Sequence, residues 1–198
     1  MPWNFPFWQA FRACAPALAA GNTVLLKHAS NVPQCALAIE EVFRETFPPD
    51  VLRTLLIGPE RAERLVADPR VHAVTLTGSE AAGRRIAAAA GAALKKSVLE
   101  LGGSDAFVVL ADADLDHAAQ LAVTSRFLNN GQSCIAAKRI ILVPQIAAAF
   151  LERFTARLRA LKQGDPQRDD NDLGPMPRAD LRDALHHQVT ESIDKGAV

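Results

Sequence analysis

Short apolar runs alternate with helical stretches along the whole chain, and this alternation restricts the fold more than any other feature. The runs occupy residues 23–27, 51–57, 73–77, 96–101, 106–110 and 139–143. Helical patterns lie before, between and after these runs, over residues 7–20, 33–47, 60–67, 79–91, 115–127, 147–161 and 178–195. Strands joined through helices pair in parallel, and parallel strands covered on both faces read as continuous apolar runs. The sequence therefore predicts an α/β protein built on a doubly wound parallel sheet.

Charge and cysteine content exclude several classes of function. The 22 basic and 22 acidic residues balance, which argues against nucleic acid or an anionic membrane as a partner. The three cysteines are odd in number and lack metal-ligand spacing, as do the histidines, so we predict free thiols, a reducing compartment and no metal. There is no leader-like segment and no long apolar run, so the expected location is the cytoplasm.

Cys134 is the candidate nucleophile. It ends the polar turn Asn129-Asn130-Gly131-Gln132-Ser133, which follows a predicted helix. A thiol acts as a nucleophile in a polar, partly open setting, and this turn predicts such a setting. Cys14 and Cys35 lie in alanine-flanked helices and are interpreted as small core residues. The alternative for Cys134 is the same inert role.

Glu100 is the candidate general base. It closes the apolar run that ends at residue 101, directly before Gly102 and Gly103. A carboxylate at a strand end can take a proton from a reacting group, and the two glycines let a ligand or backbone approach closely. The alternative is a solvated strand-end glutamate. The glycine pair also marks the predicted domain boundary, between residues 1–101 and residues 102–198.

Residues 77–79 open a helix directly after a strand. The free N–H groups and positive dipole at such a helix start can bind a phosphate, and Gly78 lets the backbone approach it. The alternative is that Ser79 simply caps the helix. The segment lacks a full G-x-G-x-x-G pattern, so by itself it indicates a dinucleotide only weakly.

Two further polar residues occupy positions suited to ligands. Lys27 ends a strand, at the edge where α/β sheets bind ligands, and it suits a ribose hydroxyl or a phosphate. Asn4 lies between Pro2 and Pro6 in a stiff turn, and its amide can donate a hydrogen bond to a developing oxyanion. The alternatives are a solvated lysine and an asparagine that caps the following helix.

Five segments together resemble the aldehyde dehydrogenase superfamily. They are residues 2–6, 26–27, 77–79, 99–103 and 130–134, and they occur in the family's order and spacing. The similarity is greatest to bacterial NAD(P)-dependent succinate-semialdehyde dehydrogenases. It covers nearly the whole chain but only the middle of the family's polypeptide, so we expect an internal fragment. The resemblance then implies a partial dinucleotide-binding domain over residues 1–101 and a partial catalytic domain, carrying the thiol, over residues 102–198.

The resemblance implies an oxidoreductase whose catalytic residues are Cys134, Glu100 and Asn4. Cys134 attacks the aldehyde carbon to give a thiohemiacetal, and the Asn4 amide and the Cys134 N–H stabilise its oxyanion. Hydride transfer to the nicotinamide leaves a thioester. Glu100 then activates the water that hydrolyses this thioester to the carboxylic acid.

The resemblance also implies a site for NADP or NAD. The implied cofactor-binding residues are Lys27, Ser30, Gly78, Ser79 and Trp3. Lys27 binds the adenosine ribose, while Gly78 and Ser79 begin the helix nearest the pyrophosphate. Ser30 stands where strictly NAD-dependent relatives often carry an acidic residue, so a 2′-phosphate meets no like-charge repulsion there. We expect NADP to be accepted, and NAD use stays open.

The sequence leaves the aldehyde open between succinate semialdehyde and other small aldehydes. Many semialdehyde dehydrogenases carry an arginine six residues before the nucleophile, but this chain has Leu128 there and Arg126 two residues earlier. Full-length relatives are homo-oligomers, and the state of this chain is open. One alternative to an active enzyme is an inactive remnant with at most partial nucleotide binding. Another is a cysteine hydrolase acting on esters, for which no partner histidine is evident.

Overall fold

The computed structural model describes residues 1–197, which form two compact units. The first covers Met1–Gly103 and the second begins at Ser104. The sequence-based prediction puts the boundary between residues 101 and 102.

The first unit contains two parallel strand pairs. Its elements are α1 (Pro6–Ala19), β1 (Val24–Leu26), α2 (Pro33–Thr46), β2 (Leu52–Thr54), α3 (Pro59–Ala67), β3 (Ala73–Thr77), α4 (Glu80–Ala92) and β4 (Lys96–Glu100). β1 pairs with β2, and β3 pairs with β4. In each pair, the helix that lies between the two strands in the sequence connects them. Proline at the first turn starts α1, α2 and α3, where its missing N–H costs no hydrogen bond.

The core of the first unit lies where α1 and α2 cover the first strand pair. Ala10 and Cys14 of α1 pack with Leu26 of β1 and with Ile39 and Phe43 of α2. Burial raises the pKa of the Cys14 thiol, which fits the predicted role of a small core residue. A smaller cluster holds α3 and α4 together over the second strand pair.

The second unit contains one parallel strand pair and a helical layer. Its elements are β5 (Asp105–Val109), α5 (Leu115–Phe127), a short 3-10 helix (Leu128–Gly131), β6 (Ala137–Leu142), α6 (Pro144–Ala160) and α7 (Ala179–Asp194). β5 pairs with β6, and Val109 packs with Ala119 and Ala122 of α5 and with Ile146 and Phe150 of α6. Asp114 caps α5 through its carboxylate.

The α/β class and the parallel pairing predicted from the sequence are confirmed. In the part of the chain that the structure describes, the strands form three two-stranded ladders. The run at 51–57 yields only the strand Leu52–Thr54, because its partner β1 has only three residues to pair with. β6 begins at Ala137, two residues before the predicted start, because Ala137 still pairs with Asp105. None of the described helices is both long and apolar enough to cross a membrane.

Candidate functional site

Lys27 follows the last residue of β1, at the carboxyl edge of the first strand pair. Its ammonium forms no ion pair within residues 1–197. Ser30 is exposed in the turn that follows, and Trp3 is partly buried in the segment before α1. A free cation and an exposed hydroxyl near the carboxyl end of a strand suit the ribose phosphate of a nucleotide.

A groove of about 380 Å³ begins at Leu55, beside this edge. The Leu55 N–H donates to the Leu26 carbonyl at 2.8 Å, so this lining residue lies beside the strand end that Lys27 follows. It is lined by Leu55, Ile57, Arg61, Arg64, Leu65 and Asp68. Arg61 and Arg64 are exposed and make no ion pair with any other described residue, whereas Arg70 holds the pKa of the Asp68 carboxyl below its usual range. Sequence analysis missed both arginines, although their i, i+3 spacing places them on one face of α3.

Asn4 is partly buried in the turn that leads into α1. The N-cap residue of α1 is Phe5, and it makes no side-chain cap hydrogen bond. The carbonyl of Pro6, the first residue of α1, lies 2.9 Å from Nε2 of the buried His28. The turn that carries Asn4 is thus tied to the segment that carries Lys27.

Glu100 closes β4 at the carboxyl edge of the second strand pair, opposite Thr77. The Gly78 N–H donates to the Glu100 carbonyl at 3.0 Å. Ser79 caps α4, and its hydroxyl accepts from the Ala82 N–H at 3.3 Å, as the capping alternative for Ser79 predicts. The structure therefore brings Glu100, Gly78 and Ser79 to one edge.

Arg12 of α1 binds the Glu100 carboxylate. Arg12 Nη2 lies 2.7 Å from Glu100 Oε1, and the two side chains are 47% and 44% exposed. Sequence analysis did not single out Arg12, because its partner is 88 residues away. The guanidinium occupies an oxygen of the predicted base, so proton transfer to that oxygen requires the ion pair to open. A group that binds one carboxylate here can also bind another.

Gly83 allows α4 to approach the strand end that carries Glu100. A Cβ at Gly83 would lie 2.6 Å from Cδ2 of Leu101. Any side chain at position 83 would have to displace the side chain of Leu101, the residue that follows Glu100.

In the second unit, Cys134 follows a left-handed turn. Asn129, Asn130 and Gly131 have φ values of 54°, 57° and 73°. Asparagine and glycine tolerate this conformation better than other residues, so the composition of the turn determines its shape. Cys134 is partly exposed, next to the buried Ser133. This matches the partly open setting that the sequence predicts.

Side chains on both sides of the turn fix its backbone. Arg126 Nη1 donates to the Gly131 carbonyl at 3.1 Å, and Asn130 Oδ1 accepts from the Gly174 N–H at 3.1 Å. Arg126 is thereby engaged in holding the turn, and Leu128 is 53% exposed. Neither residue offers a free cation for a substrate carboxylate.

Lys138 contacts the peptide group of Cys134, the predicted nucleophile. Its Nζ donates to the Cys134 carbonyl at 2.7 Å, and the Lys138 side chain is partly buried. The sequence analysis missed this residue too, although it lies only four positions after the cysteine, at the start of β6. The contact fixes the carbonyl side of Cys134 and brings a positive charge beside it.

The predicted site residues fall into separate units. Asn4, Lys27, Gly78 and Glu100 belong to the first unit, and Cys134 belongs to the second. Their convergence around one cavity stays a prediction. Among the described residues, no three His, Cys, Asp or Glu side chains are arranged to hold a metal ion.

Comparison with known proteins identifies one family over the whole chain. The sequence model of the "Aldehyde dehydrogenase family" matches residues 1–198. A Synechocystis protein named probable succinate-semialdehyde dehydrogenase, NADP(+), is 57% identical over 198 residues, which are 100% of this chain and 44% of that protein. An Escherichia coli succinate semialdehyde dehydrogenase, NAD(P)+, is 54% identical over 100% of this chain and 43% of its own length.

The similarity extends to solved structures. A succinic semialdehyde dehydrogenase from Streptococcus pyogenes, in complex with NADP+ as the cofactor, superposes with a TM-score of 0.95 and 39% identity. The match covers 98% of this chain and 43% of that one. The chain thus spans less than half the length of the relatives that it matches.

Proposed function

This chain belongs to the aldehyde dehydrogenase family, and on that basis we propose that it carries the thiol, the general base and the nucleotide-binding edge of an NADP-accepting enzyme that oxidises a small aldehyde with a distal carboxylate. The observation that carries this proposal is the partly open Cys134, which follows a preset left-handed turn. The relatives' names give succinate semialdehyde as the first substrate to test.

The thiol of Cys134 supplies the covalent step. Its thiolate forms a bond to the aldehyde carbon, and the carbonyl oxygen becomes an oxyanion. The amide of Asn4 and the N–H of Cys134 stabilise that charge. A bound nicotinamide would supply the acceptor for the hydride that leaves this carbon, and Cys134 would then carry the acyl group as a thioester.

Glu100 completes the reaction. Its carboxylate takes a proton from water, whose oxygen attacks the thioester carbon and releases the acid and the Cys134 thiolate. Arg12 binds Oε1 of Glu100, so Oε2 can take the proton while the ion pair is intact. The distal carboxylate of the substrate competes for Arg12, and its binding releases Oε1 of Glu100 as well.

The edge beside Lys27 fits NADP. Lys27 and Ser30 would hold the ribose with its 2′-phosphate, and Arg61 and Arg64 bring two exposed cations to the neighbouring groove. Gly78 and Ser79, at the start of α4, would face the pyrophosphate. The donor set consists of cations and a hydroxyl, which suits a phosphate of double negative charge.

A turnover assay tests the thiol and the base. We expect the purified chain to form NADPH from NADP+ and succinate semialdehyde, and Cys134→Ala to abolish this, while the control Cys35→Ala does not. Glu100→Gln is expected to leave a thioester on Cys134, detected as a mass adduct on the intact protein. Turnover that survives Cys134→Ala would refute the assignment. A folded chain without turnover or adduct would favour an inactive remnant.

Thermal stabilisation by each cofactor tests the edge. We expect NADP to raise the melting temperature more than NAD does. Replacing Arg61 and Arg64 together by glutamine should remove that difference, while Arg44→Gln, on α2, should keep it. Equal stabilisation by both cofactors in the unaltered chain would contradict a 2′-phosphate site.

A further inference from the structure

The segment Lys27-His28-Ala29 holds both ends of the turn that carries Asn4. On one side, the Met1 nitrogen donates to the Lys27 carbonyl at 2.8 Å and the Ala29 N–H donates to the Met1 carbonyl at 2.9 Å. On the other side, His28 Nε2 lies 2.9 Å from the Pro6 carbonyl. Residues 2–5 therefore lie between two residues, Met1 and Pro6, that are both hydrogen-bonded to the segment 27–29.

The two ring contacts of His28 determine its tautomer. The Ala29 N–H, shared with Met1, also donates to His28 Nδ1 at 2.8 Å, so Nδ1 carries no proton. The Pro6 carbonyl can only accept, so Nε2 carries the proton and donates it. The ring is 4% exposed. Burial is the main cause that lowers its pKa, and the charges of the Met1 amino group and Lys27 lower it further, against the Pro6 hydrogen bond, which raises it.

The Pro6 contact is suited to positioning Asn4. Pro6 is the first residue of α1, and the N-cap residue Phe5 contributes no side-chain cap. A side chain from the loop after β1 thus holds the helix start, two residues after Asn4. A buried hydrogen bond with both partners satisfied fixes a position better than an exposed one, because water does not compete for it.

We propose that His28 is the positioning residue for Asn4: its neutral imidazole donates Nε2–H to the Pro6 carbonyl and thereby places the Asn4 amide at the developing oxyanion. This inference rests on the proposed function, in which Asn4 is an oxyanion donor. The same segment carries Lys27, so His28 also sets the distance between the oxyanion donor and the cofactor-binding lysine.

Two variants separate the two hydrogen bonds of the ring. Glutamine at position 28 can reproduce the Nε2 donor toward Pro6, whereas asparagine can reproduce only the Nδ1 acceptor toward Ala29. We expect His28→Gln to keep the turnover number near that of the unaltered chain. We expect His28→Asn to lower it about 10- to 100-fold with little change in KM, since an oxyanion donor acts mainly in the transition state.

Two readouts distinguish positioning from a general effect on folding. The double variant Asn4→Ala/His28→Asn should be no slower than Asn4→Ala alone, because both changes remove one interaction. The side-chain amide resonance of Asn4, followed by NMR in the full chain, should shift in His28→Asn and stay in place in His28→Gln. The resonance measurement decides by itself if turnover is absent.

The inference is overturned if the two variants slow turnover equally, or if the Asn4 resonance does not move in His28→Asn. If Asn4→Ala leaves turnover unchanged, the oxyanion assignment in the proposed function fails. The NMR result then still reports whether His28 holds the turn, so the two failures are distinguishable.

Discussion

Replacing Gly83 by alanine tests whether the close approach of α4 to Leu101 limits the stability of the first unit. Gly83 is buried in α4, and a Cβ there would lie 2.6 Å from Cδ2 and 2.9 Å from Cδ1 of Leu101. Gly91 lies in the same helix, but a Cβ there meets no atom within 4 Å. Gly91→Ala is therefore a matched control with the same chemical change.

The expected magnitudes follow from two opposing effects. Alanine in place of glycine stabilises a helix by about 0.5–1 kcal/mol at either position. At Gly83 the added methyl must displace the Leu101 side chain, and such overpacking costs about 1–3 kcal/mol. Gly91→Ala should thus raise the free energy of unfolding, and Gly83→Ala should fall below it by about 1–3 kcal/mol.

Urea unfolding of the two variants, followed by far-ultraviolet circular dichroism, provides the measurement. The denaturant slope must stay constant for the midpoints to be compared as stabilities. Turnover adds a second test, because Leu101 follows Glu100 and its displacement should impair Gly83→Ala only. If both variants gain stability equally, Leu101 moves aside without cost and the close-packing argument is wrong.

Three further predictions concern the turn, the buried histidine and a helix cap. Gly131→Ala should destabilise the chain and slow alkylation of Cys134 more than Gly21→Ala does. Both glycines have positive φ, but only at position 131 would the added Cβ also lie 3.0 Å from a neighbouring side chain. Equal effects of the two substitutions would refute this prediction. The free energy of unfolding should fall as pH drops below about 6.5, because burial lowers the pKa of His28 in the folded chain and the unfolded chain therefore takes up the proton first. Urea midpoints measured between about pH 7 and about pH 5 should fall less for His28→Gln than for the unaltered chain. Asp114→Ala should cost about 1 kcal/mol of unfolding free energy and Asp114→Asn much less, since asparagine also caps helices; calorimetry gives the comparison.

Local patterns predicted most of the secondary structure. β3 and α5 were predicted at 73–77 and 115–127, and they occur as Ala73–Thr77 and Leu115–Phe127. Strand ends were less predictable, because the length of a strand depends on its partner. β2 is shorter than its apolar run for that reason.

The candidate site was predictable only in part. The polar turn before Cys134 is explained by its own asparagines and glycine, which accept positive φ. Arg12 and His28 were not predicted as site residues, although each contacts the segment of a predicted one. Their contacts join positions 88 and 22 residues apart in the chain.

The sequence by itself determined the order of strands and helices, their parallel pairing and the shape of the turn before the thiol, because periodicity, proline placement and tolerance of positive φ act over a few neighbouring residues. Only the tertiary structure decided that Arg12 forms an ion pair with Glu100 and that His28 contacts the end of the turn that carries Asn4. It also decided that Arg61 and Arg64 line the groove near the strand end that Lys27 follows. These contacts depend on how helices pack on strands, and no local pattern encodes the distance between side chains that packing brings together.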